Sequence, residues 1–282
     1  MVIMLGMGLS LQLGDFKRIL LHPKAIIVGL INQILILPLL GFCVASVTRV
    51  TPEIAVGIMI LAACPGGQTS NLITHLAKGD TALSVSLTAI GSFITIITIP
   101  FIVNFGLVQF MNHGQIVKLD VSQTILQTTA IIVVPICIGM LIRIKNKKFA
   151  NTMSGPVRKA SVIILVLVII VLVSNEKNNV VHYFEQAGLA AMLLNVISML
   201  VGYFSAKLFK ISDYRSLSIA IESGNQNGTM AIAIAVVLLG NTSFAIAPAI
   251  YSLLMFITGG MVISLGIEIY KIRLIKDSRS AS

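Results

Sequence analysis

Long apolar runs separated by short polar connectors dominate the chain, and the runs lack the period-2 alternation of strands. We place apolar segments at about 1–13, 25–48, 54–77, 81–110, 122–144, 158–174, 186–208, 214–240 and 243–270. Most reach the roughly 20 residues that an α-helix needs to cross a bilayer. With no water at that depth, backbone groups must pair internally, so helices are the expected element. Two segments break the pattern. The run 54–77 is interrupted by CPGGQTSN at 64–71, and the run 214–240 by ESGNQNGT at 222–229. A matched pair of interrupted segments is the sequence mark of a transport site built on an internal repeat.

The halves align around these breaks. Each interrupted segment follows a span with polar residues at mid-membrane, Asn32 and Gln33 in the first half and Asn195 and Ser198 in the second. Each is followed by one long span that ends the half. The second half has five segments and the first only four. A repeat of odd helix number inserts in opposite orientations, so the pattern predicts an inverted repeat with one N-terminal helix missing from this chain.

Composition agrees with a membrane chain. Of 282 residues, 56% are hydrophobic and 11% charged, against about 25% charged in a soluble domain. The formal net charge of +10 is a matter of topology rather than of nucleic-acid binding. Seventeen Lys and Arg residues, Lys17, Lys78 and Lys207 among them, fall in alternate loops and the C-terminal tail. The opposite loops hold three, Arg49, Lys118 and Lys177. Basic loops stay in the cytoplasm, which puts the C-terminus there. Cys43, Cys64 and Cys137 are scattered through apolar segments and form neither a disulfide framework nor a metal site. Cys43 and Cys137 read as small buried hydrophobes. Cys64 has no His and acid at motif spacing to make it a nucleophile. His75 and His113 fall at loop edges, and NNVVHYFEQAG with His182 reads as an external connector. No cleavable signal peptide is recognisable.

Glu222 carries the chemistry. A carboxylate at mid-membrane costs about 2.5–3.5 kcal/mol on insertion scales, so it needs a role. It is a structural acid paired with a buried base, a proton carrier, or a cation ligand. No Lys, Arg or His is expected at its depth. The oxygens around it favour the cation. Ser70, Asn71, Gln226 and Asn227 stand at the breaks, Ser84 and Thr88 share a helix face at i, i+4, and Gln33 lies on a neighbouring span. Hard cations take oxygen ligands. The carbonyls ending each upstream half-helix should be unpaired, and the N–H groups opening each downstream half-helix, at 68–70 and 227–229, suit an anion. Taken singly, each Ser or Thr has a structural explanation in helix packing. No paired aspartates, Ser–His arrangement or metal-ligand helix motif suggests an enzyme.

The stretches MLGMGLSL with GDFKR behind it, ACPGGQTSNLITHLAKGDTALSVSLTAI and IESGNQNGTMAIAIA together resemble the bile acid:sodium symporter family, in particular its bacterial members. The resemblance covers nearly the whole chain. It implies an all-α membrane protein with an inverted five-helix repeat and two crossed discontinuous helices, lacking its first helix here and so crossing about nine times. It implies a core domain of 25–110 and 186–270, an incomplete panel domain of 1–24 and 111–185, and a cytoplasmic tail of 271–282, in the bacterial inner membrane. Two Na⁺ ions would bind, one at Ser70, Asn71, Ser84, Thr88 and Glu222, the other at Gln33, Glu222, Ser223, Asn225 and Gln226. An organic anion, bile-acid-like or a small carboxylate such as pantoate, would meet Gln68, Thr69, Asn227, Gly228 and Thr229. The activity implied is sodium-coupled symport by alternating access. Its rivals are a proton-coupled carrier using Glu222 and a non-transport sensor or assembly subunit.

Overall fold

Helices start and stop where the local chemistry directs. The computed structural model describes residues 2–12, 14, 22–111, 126–127, 129–175 and 180–280. The expected loop positions of Lys17, Arg18, His113, Lys118 and Lys177, and the start of the 122–144 segment, lie outside them. Helix α1 is Val2–Ser10, and α2 runs Pro23–Thr48 through a π turn at Asn32–Ile36. The first interrupted segment is α3, Pro52–Ala63, and α4, Gln68–Leu76; α5 is Thr81–Phe110. Then come α6, Val134–Lys145, after a π turn at Thr129–Val133, and α7, Lys147–Asn175. Helix α8 is Val180–Leu208, the second interrupted segment is α9, Asp213–Gly224, and α10, Gly228–Ala233, and α11 is Ile246–Ser280. Pro23 and Pro52 open α2 and α3, where the missing N–H costs nothing. Helix α3 stops because Pro65 holds Cys64 extended, at φ −78° and ψ 152°. Helix α5 opens on Asp80, whose Oδ1 accepts the Leu83 N–H at 3.0 Å.

Among the described residues the helices depart from the expected segments in three places, one being that α11 continues to Ser280 through the expected tail. Helix α7 begins at Lys147, well before the expected 158, and tolerates Pro156 inside it. The stretch around His182, expected to be a connector, forms the first turns of α8.

Two groups of helices are joined through one apolar core, to which Met4 and Leu11 of the N-terminal segment and Ile136 of α6 contribute beside Ile54, Ile99 and Tyr251. In one, α3 lies between α2, α5 and α11, while α8 packs along α9, α11 and α2. Every residue from Ile54 to Ala63 is buried, so α3 is apolar all round because it touches protein all round. In the other, α1 packs on α6 and α7. A Cβ at Gly8 would overlap the Ile136 carbonyl and one at Gly139 would lie 2.5 Å from the Leu5 carbonyl. The α1 and α6 backbones therefore touch directly, as small residues permit in membranes. The Arg143 guanidinium donates to the Leu9 carbonyl at 2.7 Å, satisfying the C-terminus of α1.

The outer surface is apolar. Along α2, Ile27, Ile31, Leu35, Leu39, Cys43 and Val47 recur every fourth residue and all are exposed. Such a stripe is incompatible with water at this length and suits lipid. Cys43, expected to be buried, lies in it, and Cys137 is half-buried. A lipid-facing position rewards an apolar side chain as much as a packed one does. Among the described residues four helices, Pro23–Thr48, Thr81–Phe110, Phe184–Leu208 and Ser243–Ile272, are long and apolar enough to cross a membrane.

Candidate functional site

The two breaks meet. At 64–67 and 225–227 the chains run antiparallel for one bridge, Gly66 with Gln226. The Gly67 N–H donates to the Asn225 carbonyl at 3.2 Å, and the Asn227 N–H donates to the Pro65 carbonyl at 3.0 Å. Unwound backbone inside a membrane must find partners, and here each break is the partner of the other.

Glu222, 2% exposed, lies in the last turn of α9 beside this crossing. Ser70 Oγ and Ser84 Oγ donate to its Oε2 at 2.7 and 2.8 Å, and the Thr88 hydroxyl donates to Oε1. Each hydroxyl also stands within reach of a second acceptor. Ser70 reaches the Gly67 carbonyl at 2.6 Å, Ser84 reaches Asn71 Oδ1 at 2.8 Å, and Thr88 reaches the Ser84 carbonyl at 3.0 Å. Three hydroxyl protons thus face three open acceptors, the two carboxylate oxygens and Asn71 Oδ1, since the Gly67 carbonyl also takes the Ser70 N–H and the Ser84 carbonyl lies within α5. Ion pairs among the described residues join Lys207 to Asp213, Arg215 to Asp80 and Lys271 to Glu268, and none reaches Glu222. The first residue set of the sequence reading, Ser70, Asn71, Ser84, Thr88 and Glu222, is therefore assembled as one cluster from α4, α5 and α9.

The second set lies on the other flank of the same acid. The π turn of α2 buries Gln33, at 2% exposure, and single π turns recur at functional sites. A Cβ on Gly66 would overlap Glu222 Oε1 and lie 3.1 Å from Gln33 Nε2, so the acid and the amide both press on a residue that has no side chain. Gln226 Nε2 donates to the Ser223 carbonyl at 2.6 Å. The side-chain oxygens of Gln33, Gln226 and Asn225 are buried with no hydrogen-bond partner, which is costly unless something else occupies them.

The carbonyls ending α9 depart from expectation. The Gly224 carbonyl accepts from Asn195 Nδ2 and from the Tyr251 hydroxyl, both at 2.7 Å, and the Ser223 carbonyl accepts from Gln226. Side chains have replaced the next helical turn; the Gly224 carbonyl has both lone pairs taken, while the Ser223 carbonyl keeps a second one for another partner. The N–H groups expected to be free are also fewer. Ser70 N–H donates to the Gly67 carbonyl, Gly228 N–H to the Gln226 carbonyl, and Asn227 Oδ1 accepts from the Met230 N–H at 3.1 Å and the Thr229 hydroxyl at 2.8 Å. Gln68, Thr69 and Thr229 remain half-buried at the crossing, while Gly228 packs against Ser252. Gln68 Nε2 lies 3.8 Å from where a Cβ on Gly6 of α1 would stand, so this edge of the crossing faces the second helix group.

Sequence reasoning missed Tyr251, which sits in an apolar run with no polar neighbour pattern. It also missed Gly66 as contact space, and Thr74, which is fully buried and donates to Ser84 Oγ at 3.4 Å. Asp80 was likewise unassigned. Its Oδ2 pairs with Arg215 Nε at 3.2 Å while its N–H donates to Ser218 Oγ at 2.7 Å, tying the start of α5 to the first turns of α9. Replacing Asp80 by Asn keeps a capping oxygen and loses the ion pair, whereas Ala loses both. Asp80→Ala is therefore expected to cost about 1 kcal/mol more than Asp80→Asn, measured as thermal stability of the two purified variants.

Among the described residues no group of three His, Cys, Asp or Glu side chains converges as a metal centre. The site is instead a lone acid in a cage of neutral oxygens, where two unwound helices cross inside a lipid-facing bundle. That architecture defines the class of multi-pass membrane carriers with discontinuous helices. The sequence pattern of the Sodium Bile acid symporter family matches residues 1–183. An uncharacterized sodium-dependent transporter of Bacillus subtilis, YocS, is 32% identical over 265 residues, 93% of this chain and 79% of that protein. The probable chloroplastic sodium/metabolite cotransporter BASS1 of Arabidopsis thaliana is 27% identical over 93% of this chain and 64% of its own length. The hepatic sodium/bile acid cotransporter of Rattus norvegicus is 26% identical over 80% of this chain and 63% of its own length. The chain belongs to the Sodium Bile acid symporter family, a family of transporters rather than enzymes.

Proposed function

We propose that this protein is a secondary transporter that couples inward movement of Na⁺ to that of an organic anion by alternating access. The observation that carries this reading is a buried carboxylate with no ion-pair partner among the described residues, beside the partnerless amide oxygens of Gln33, Asn225 and Gln226. Cations would answer both. A single proton on Glu222 would neutralise the acid and do nothing for those amide oxygens. One Na⁺ would lie among Ser70, Asn71, Ser84, Thr88 and Glu222. A second would lie among Gln33, Glu222, Gln226 and the carbonyls near Ser223 and Asn225.

The anion would bind where the crossing faces α1, at Gln68, Thr69 and Thr229, with the Asn227 and Gly228 turn as framework. Bile-acid-like anions and small carboxylates such as pantoate both fit the requirement of one negative charge. In this reading the inverted repeat places about nine crossings in a bacterial inner membrane, with the C-terminus cytoplasmic. The group of α2–α5 and α8–α11 acts as a core that moves against a panel of α1, α6 and α7. The packing of α1 chiefly on α6 and α7 supports that division.

Two Na⁺ with a monoanion carry one net positive charge inward, worth about 2.3 kcal/mol per 100 mV. Uptake of a labelled carboxylate into proteoliposomes is therefore expected to need external Na⁺ and to rise when the lumen is made negative. Undiminished uptake with choline in place of Na⁺ defeats the proposal, and uptake driven by a pH gradient without Na⁺ moves the coupling to protons.

A further inference from the structure

A cleft of about 480 Å³ opens apart from the crossing, between the end of α4, the end of α8, the start of α9 and the middle of α11. It shares no residue with the Glu222 cluster. Its size is that of a site for a small ligand or a lipid headgroup. Two features place its mouth at the membrane boundary. The spans Phe184–Leu208 and Ser243–Ile272 both end on it, since Lys207 and Ile272 are in its lining. Tyr203, Tyr214 and Tyr270 line it as well, and tyrosine gathers at headgroup level.

The charge at the mouth is held there at a cost. Helix α4 ends in a Schellman turn, with the Gly79 N–H donating to the Thr74 carbonyl at 2.9 Å and the Lys78 N–H to the His75 carbonyl at 3.2 Å. Lys78 takes the left-handed position, at φ 60°, where glycine is the unstrained choice. Helix α8 ends in the same turn with Lys210 at φ 57°. Lys78, in the lining, keeps positive charge where glycine would serve the backbone better, whereas Lys210 lies outside the lining. Within the lining, Lys207 is already neutralised by Asp213 at 2.6 Å, which leaves the exposed ammonium of Lys78 for a ligand.

The inner end of the cleft is shut. Ile73, Ala77, Leu217 and Ile221 pack together with Val262 and Ile263 behind them, between the cleft and the Glu222 cluster. An ion path would need polar lining there. A ligand with a charged head and a greasy body does not, and the rim continues into exposed Leu76, Leu265 and Ile272.

We propose that this cleft binds the headgroup of an acidic phospholipid, its phosphate beside Lys78 and the tyrosine hydroxyls, its acyl chains along the apolar rim. Basic pockets between transmembrane helices take such lipids. The test is thermal unfolding of the purified full chain in detergent, which reads binding without transport and so stands apart from sodium coupling. Phosphatidylglycerol is expected to raise the melting temperature by several degrees, and phosphatidylcholine of the same acyl composition is not. Lys78→Gly removes the left-handed strain, so its melting temperature without lipid should equal or exceed the parent's, while the half-saturating phosphatidylglycerol concentration rises at least tenfold. Equal stabilisation by the two lipids, or an unchanged response in Lys78→Gly, overturns the proposal. So does stabilisation by inorganic phosphate alone, which would make the cleft a site for a free anion.

Discussion

Replacing Glu222 by Gln is expected to reduce sodium-stimulated uptake at least about 100-fold while leaving the protein folded. The effect is electrostatic. A unit charge 4 Å from Na⁺ contributes about 4 kcal/mol at an effective dielectric of 20, and 1.4 kcal/mol is a factor of ten. Glutamine has the same shape: its oxygen can accept from Ser70 and Ser84, while its N–H₂ donates to the Thr88 hydroxyl, which turns its proton to the Ser84 carbonyl. It also removes a buried charge that has no ion-pair partner among the described residues. The variant should therefore be as stable as the parent in sodium-free buffer, or more so, and should gain nothing when Na⁺ is added. The parent should be stabilised by Na⁺ and not by K⁺ at equal ionic strength. A Glu222→Gln protein that keeps its thermal response to Na⁺ would remove Glu222 from the coupling site, whatever its uptake rate.

The second large effect comes from one methyl group. Gly66→Ala places a Cβ on Glu222 Oε1 and 3.1 Å from Gln33 Nε2. The carboxylate end is flexible, but three hydroxyls and a packed helix hold it in place. It must shift by about an ångström, and both proposed ion sites lose their shared ligand position. Ligand distances at a hard cation tolerate little change. The expected result is at least a tenfold rise in the Na⁺ concentration giving half-maximal uptake, with normal membrane expression. Parent-like sodium dependence in Gly66→Ala would mean that the acid can move freely, and the tightly held geometry argued above would be wrong.

The two breaks were legible because glycine, proline and amides are conspicuous in an apolar run, and the depth of Glu222 followed from counting residues. Ser84 and Thr88 were legible as a pair because helical spacing puts them on one face. What polarity does not encode is which apolar face meets lipid and which meets protein. Cys43 was misplaced for that reason, since both sides of α2 read alike. The pairing of donors with acceptors was equally hidden. Nothing near Tyr251 announces that its hydroxyl caps the Gly224 carbonyl, because the acceptor lies 27 residues away in sequence. The N–H groups expected to be free were counted as though each half-helix stood alone, whereas the opposite break and the Asn227 side chain take several of them.

The mutual pairing of the breaks has a consequence for biosynthesis. Gly67 and Asn225 are separated by about 160 residues of sequence, and translation at about 5–20 residues per second takes roughly 8–30 s to bridge them. During that interval the Pro65 carbonyl and the Gly67 amide have left the ribosome without their native partners. The first interrupted helix must wait at the translocon or beside a chaperone, or lie provisionally against lipid, until the second emerges to complete it.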